Sequence, residues 1–267
     1  MKRVLTLLSL VLVVALFIVS CGNKGKELIV GASPVPHADL LNLVKDDLKK
    51  EGIELKVVQY TDYILPNKAL ADKSINANFF QHAPYMEDFG KKNNIEMVGV
   101  GNIHLEPMAL YSKKIKNIND LKSGDTLIIP NDPTNGGRAL ILLDKAGIIK
   151  LKDNKNLAAT TADIAQNPKN LKIITMSNEQ IAPRLGEVAG AIINSNFAID
   201  AGITKNEIIL IEGKDSPYVN IVTVLKENQN DERVKKLVKA LQSEKVKKYI
   251  EEKYQGRVIP CILIIKK

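Results

Sequence analysis

Short apolar strands alternate with amphipathic helices along most of the chain, and this alternation confines it to layered α/β folds with a largely parallel sheet. Residues 28–32 read as a buried strand closed by Ser33-Pro34-Val35-Pro36. The helix that follows puts Leu40, Leu41, Val44 and Leu48 on one face and stops at Gly52. Strands at 53–60, 77–80, 95–100 and 108–111 interleave with helices at 65–73 and 84–92. The theme resumes with a strand at 126–129 and a helix at 136–146 ended by Gly147. Further strands follow at 171–174, 189–193, 208–211 and 219–224, then one long helix at 231–254. In that helix Val234, Leu237, Val238 and Leu241 form a stripe, and Lys235, Lys236, Lys239, Lys247 and Lys248 take the solvated face. Tyr249 and Tyr254 are the only aromatic residues near these lysines, and a solvated helix surface accounts for them better than a nucleic-acid footprint does.

The start of the chain is of another kind. Met1-Lys2-Arg3 opens a run over 4–19 broken only by Thr6 and Ser9, which has the cationic and apolar regions of an export signal. It ends in Ile18-Val19-Ser20-Cys21, which resembles a bacterial lipobox with Ile18 where Leu is usual. On this reading 1–20 is a lipoprotein signal peptide, Cys21 carries the lipid and 21–26 is a tether; an uncleaved N-terminal anchor is the alternative. Either way the body of the chain is exported and held at a bacterial membrane. Loss of Lys2 and Arg3 lowers the formal charge from +8 to +6. Cys261 is then the one cysteine left, so no disulfide framework is available. Its apolar surroundings suit an inert buried thiol better than a nucleophile.

No G-x-S-x-G, H-E-x-x-H, phosphate-loop or dinucleotide motif occurs. His37, His82 and His104 stand far apart, so a zinc site would need a tertiary coincidence and a fourth ligand. Two polar and aromatic clusters stand out instead. Six of the eleven aromatic residues after Phe17 are Tyr60, Tyr63, Phe79, Phe80, Tyr85 and Phe89. Adjacent Phe79 and Phe80 face opposite sides of a strand, so one of them can face a cleft. Rings there suit a flat or polarizable ligand, a thioether included, although a core with a capping loop would look the same. The second cluster, Asn131-Asp132-Pro133-Thr134-Asn135-Gly136-Gly137-Arg138, ends a strand and opens a helix. Its free N–H groups favour an anion and Arg138 can grip a carboxylate with two bonds. Equally, Asp132 or Asn135 caps the helix and Arg138 pairs with a surface acid. Asn194, Asn196 and Asn220 follow or lie within apolar strands, where their amides fit α-amino and α-carboxyl groups or make turns.

These stretches, with Gly31-Ala32-Ser33-Pro34, Asp62-Tyr63-Ile64-Leu65-Pro66, Phe80-Gln81-His82-Ala83-Pro84-Tyr85, Ala182-Pro183-Arg184-Leu185 and Ser216-Pro217-Tyr218-Val219-Asn220, resemble the methionine-binding lipoproteins of ABC importers, the NlpA lipoprotein family. The resemblance spans about 27–257. It implies a two-lobed, periplasmic-binding-protein-like α/β fold with two crossover segments, lobe one being 27–110 plus 212–267 and lobe two 111–211. It implies that Tyr63, Phe80 and Tyr85 wall the methionine side chain together with His82. Arg138 would bind the carboxylate, Asn196 and Asn220 would contact the amino-acid backbone, and Asn135 is a secondary candidate. The implied function is a membrane-anchored substrate-binding lipoprotein of an ABC importer and not an enzyme. L-methionine or a close analogue would be its ligand, with a permease and an ATPase as partners. No cofactor, metal or nucleic acid is expected, and the state is a monomer. A surface lipoprotein that binds envelope or host proteins is the alternative. The sequence departs from the family's pattern at Phe197, where Tyr is common, and in its unusually apolar stretch 260–265.

Overall fold

A computed structural model describes residues 26–213 and 216–261. The signal peptide, Cys21 and residues 262–265 of the apolar stretch lie outside the described residues.

In chain order the elements of the first half are β1 (Glu27–Ala32), α1 (Asp39–Lys50), β2 (Glu54–Gln59), α2 (Leu65–Ala71), β3 (Ala77–His82), α3 (Ala83–Asn93), β4 (Met97–Leu105) and β5 (Ala109–Tyr111). Then come β6 (Thr126–Pro130), α4 (Pro133–Lys145), β7 (Lys150–Leu151), β8 (Ile164–Gln166), β9 (Lys172–Met176), α5 (Asn178–Ile181), β10 (Gly190–Ile193), α6 (Ser195–Asp200) and β11 (Ile208–Ile211). The chain closes with β12 (Val219–Leu225), α7 (Glu232–Leu241), α8 (Glu244–Tyr254) and β13 (Ile259–Pro260).

Two main sheets result. One has the order β13-β4-β12-β3-β1-β2 and the other β11-β5-β10-β6-β9, which is the two-lobed α/β architecture that the sequence implies. The chain changes sheet between Leu105 and Ala109 and again between Ile211 and Val219. β5 pairs wholly in the second sheet, so that change falls ahead of a boundary at residue 110.

Neither sheet is as parallel as the alternation suggests. β1, β2 and β3 are mutually parallel in the first sheet, and β6, β9 and β10 in the second. β12 and β5, however, run antiparallel to β3 and β10. The reason is connectivity: parallel neighbours need a long return, usually a helix, whereas β5 and β12 arrive straight from the other lobe.

Each lobe has its own core. Leu28 and Val30 of β1 pack with Leu40, Leu41, Val44 and Leu48 of α1, with Phe79, and with Leu237, Leu241, Val246 and Ile250. In the second lobe Leu127, Ile129 and Ile192 pack against Leu140 and Leu143 of α4. Gly137 permits a close approach on that helix, because a Cβ there would lie 2.3 Å from the Leu157 carbonyl oxygen. The glycines of the Asn131–Arg138 stretch thus serve packing.

The long last helix is two helices. Ser243 leaves helical geometry at ψ 158° and its hydroxyl accepts the Val246 N–H, so it caps a new helix. The apolar stripe carries the sign of this break, since its step from Leu241 to Val246 is five residues, too long for one helix face. Cys261 is half-buried rather than buried, its thiol pushed up by burial. Among the described residues no helix is long and apolar enough to cross a membrane.

Candidate ligand site

β3 is buried along its whole length, and its alternation divides the two phenylalanines. Phe79 enters the first lobe's core, while Phe80 joins Tyr63 and Tyr85 in a separate cluster. The Tyr63 ring centre lies 5.7 Å from those of Phe80 and Tyr85, and 4.9 Å from that of Phe197 on α6. Behind this wall the buried amides of Asn67, Asn78 and Gln81 bond to one another at 2.8–2.9 Å, which pins α2 to β3.

His82 ends β3 and caps α3. Its Nδ1 accepts the Tyr85 N–H at 3.2 Å, so Nε2 carries the proton and donates to Asn135 Oδ1 at 3.1 Å. Burial, and then the nearby Arg138 charge, lower its pKa to about 4, and the ring is neutral at pH 7. Tyr63 makes a second link between the lobes, donating its hydroxyl to Asn196 Oδ1 at 2.6 Å.

At the start of α4 the capping alternative holds. Asp132 accepts from the Asn135 N–H at 2.9 Å, and also from Thr134 and Asn178. The helix start therefore serves its own carboxylate rather than an outside anion. Arg138 points inward and is only 3% exposed. Its acid partner is Glu212, shielded on the second crossover segment, not a surface acid. Nε donates at 3.0 Å and NH2 at 2.5 Å to the two carboxylate oxygens. NH2 also donates to the Glu106 carbonyl at 2.8 Å, and the guanidinium lies 4.3 Å over the Tyr218 ring. Arg138 thus touches both crossover segments, which also pair directly through the Glu212 N–H and the Met108 carbonyl at 2.9 Å.

All eight residues singled out in the sequence, Tyr63, Phe80, His82, Tyr85, Asn135, Arg138, Asn196 and Asn220, line one cavity together with Gln81, Glu106 and Asn194. A wider, more open groove lies on the other side of Arg138. Ile141, Leu142, Leu157, Leu210 and Ile211 line it with Lys145, without rings other than Tyr218 and without the cluster of amides. The enclosed cavity is small, about 20 Å³ in this structure, but has the richer chemistry. It combines an aromatic wall, one cation, one carboxylate and several amides, which together complement an amino-acid zwitterion with an apolar side chain. Among the described residues Asn194 Oδ1 has no protein partner there.

Sequence reasoning did not find Glu106 and Glu212. A single Glu beside an apolar strand has no local pattern, and only the crossings bring both to Arg138. Nor did it foresee that His37 and His104 meet at Glu106.

A family model described as NlpA lipoprotein matches residues 28–262. A D-methionine-binding lipoprotein MetQ of Escherichia coli O157:H7 is 40% identical over 259 residues, covering 93% of this chain and 94% of the relative. A solved nutrient-binding protein from Burkholderia cenocepacia bound to methionine is 38% identical with a TM-score of 0.85, covering 88% of this chain and 99% of its own. An ABC transporter periplasmic substrate-binding protein from Coxiella burnetii is 40% identical with a TM-score of 0.83, covering 87% and 99%. These relatives are named as binding proteins.

Proposed function

The chain belongs to the NlpA lipoprotein family, and from that premise we propose that it is the methionine-binding component of an ABC importer, held at a bacterial membrane by lipid on Cys21. The ligand sits in the cavity between two lobes whose limits are the two changes of sheet. It is handed as a monomeric complex to a permease and its ATPase. The observation that supports this best is the aromatic wall of one lobe facing the Arg138 guanidinium of the other across a single cavity.

Burying a methionine side chain among Tyr63, Phe80 and Tyr85 contributes about 1.5–3 kcal/mol, and sulfur–ring contacts add about 0.3–1.5 kcal/mol. Arg138 gives its Nε–NH2 edge to Glu212, and its NH1 side meets the ligand carboxylate. Glu106 is the carboxylate among the lining residues and receives the ammonium, with Asn194 Oδ1 as a further acceptor. Charge-assisted bonds of this kind are worth about 1.5–3 kcal/mol each. Because both lobes share the contacts, the ligand favours the closed state.

Calorimetry with L-methionine, D-methionine and alanine tests this. Methionine should bind far more tightly than alanine, and Phe80→Ala should cost methionine more affinity than alanine. Absence of methionine binding by the intact protein would overturn the assignment.

A further inference from the structure

We propose that His37 and His104 are positioning residues that clamp Glu106 as an ionised receptor for the ligand's ammonium group. The proposal rests on the reading of the cavity as an amino-acid site.

The geometry is specific. His104 Nε2 is hydrogen-bonded to Glu106 Oε1 at 2.8 Å. His37 Nε2 donates to Asn220 Oδ1 at 3.1 Å and stands 3.3 Å from the same Glu106 oxygen without a hydrogen bond to it. An amide oxygen only accepts, so His37 Nε2 carries its proton; with Glu106 ionised, as proposed, His104 Nε2 carries its proton too. His37 Nδ1 is then an acceptor, and the Ser33 hydroxyl donates to it at 2.6 Å. His104 Nδ1 is left bare and buried, with no partner among the described residues. Leaving that atom unpaired is costly, and what the ring gains in exchange is its bond to Glu106. Both imidazoles stand edge-on to Phe79, at 4.6 and 5.4 Å between ring centres, so the first lobe's core sets their orientation.

A buried carboxylate is pushed toward its neutral form, as Glu106 is. N–H donors oppose that shift. Neutral donors do so without cancelling the negative charge that an ammonium must find, and burial holds His37 near a pKa of about 4 and His104 near about 3. Arg138 and the Asn196 N–H are the other groups acting on the carboxylate. The three side chains also resemble a metal-ligand set. Donors around a tetrahedral zinc with bonds of about 2.0–2.1 Å stand about 3.3–3.4 Å apart. The His37 contact at 3.3 Å matches that spacing, whereas the His104 contact at 2.8 Å is too short for it.

The test compares methionine with its 2-hydroxy analogue, which lacks the ammonium, by calorimetry at pH 7.5 on the full chain. His104→Leu should weaken methionine binding at least tenfold and the hydroxy acid less than threefold. His104→Gln, whose amide restores a donor near the Nε2 position, should recover most of the loss. Equal losses for the two ligands, or none, would overturn the clamp. If the unaltered protein binds neither ligand, it is the reading of the cavity that fails. Nitrogen-15 NMR of the unaltered protein gives an answer independent of any variant's folding. Both rings should show the Nε2–H tautomer; an Nδ1–H tautomer, or spectra that change with chelator or added zinc, would refute the proposal.

Discussion

Among the described residues each crossover segment carries one shielded carboxylate, Glu106 and Glu212, and the protein treats the two in opposite ways. Glu212 faces a permanent cation, Arg138, and is committed to holding the hinge. Glu106 lies beside two imidazoles that burial keeps neutral, with Arg138 as a further charge acting on it. Burial pushes its own pKa up, and the proposed clamp is what holds it ionised. Adjacent segments thus supply one neutralised carboxylate and one free to attract a cationic group. The contrast shows why counting charges in a cavity misleads: what matters is whether each partner is an ion or a dipole.

The harshest way to break this contrast is Arg138→Ala. It leaves Glu212, whose side chain is 14% exposed, without its counter-ion and removes a bond to the Glu106 carbonyl. Loss of one partner of a fully buried pair costs about 3–5 kcal/mol. This pair is partly buried, so the stability lost is less than that, and thermal unfolding should move downward accordingly. Methionine affinity should fall about a hundredfold in calorimetry. An unchanged melting temperature would show that the Glu212 contact is incidental.

Acid should strike the two lobes unequally. His37, His82 and His104 all belong to the first lobe's strands and loops, and burial holds their pKa values at about 4, about 4 and about 3, below the usual histidine value of 6.5. The unfolded chain therefore takes up protons first. Stability falls as the pH drops from about 6.5 to about 4, by roughly 3 kcal/mol per imidazole. Glu106 acts in the opposite sense, since its raised carboxyl is protonated earlier in the folded state, but it is one group against three. Hydrogen exchange at pH 4.5 should show β3 and β4 losing protection before β6 and β10. Equal loss in both lobes would contradict the assignment.

Much of this was legible in the sequence and some was not. The split of Phe79 from Phe80 follows from strand alternation, and the Asp132 cap follows from residue type at a helix start, whereas the His82 cap was not foreseen. The break at Ser243 was missed, since 231–254 reads as one helix although the stripe steps five residues from Leu241 to Val246. The meeting of His37, His104 and Glu106 was not, because each residue has ordinary neighbours and only the pairing of β4, β12 and β3 brings them together. The antiparallel β5 and β12 escaped for the same reason. Local pattern fixes a strand, whereas its direction depends on which lobe the chain has just left.

Exchanging carboxylate for amide on each crossover sharpens the comparison. Glu212→Gln should cost about 1–3 kcal/mol of stability, as Arg138 loses its counter-charge, and change methionine affinity little. Glu106→Gln should leave stability nearly unchanged, because a buried charge is removed while an acceptor remains. It should weaken methionine binding tenfold or more. If the two variants behave alike in both measurements, the distinction between the crossovers is wrong.

The smallest effect separates reading the ligand from closing the lobes. Tyr63 donates to Asn196 across the cavity, and neither atom belongs to an ionised group. Tyr63→Phe keeps the ring that packs on Phe80, Tyr85 and Phe197 but removes the bond, a loss of about 1 kcal/mol. That loss acts on the closed state whichever ligand fills it. Affinity should therefore fall about fivefold for methionine and by the same factor for its 2-hydroxy analogue, whereas Glu106→Gln should penalise methionine alone. A Tyr63→Phe effect confined to methionine would mean that the hydroxyl addresses the ammonium directly, and the work assigned to Glu106 would then be shared with the aromatic wall.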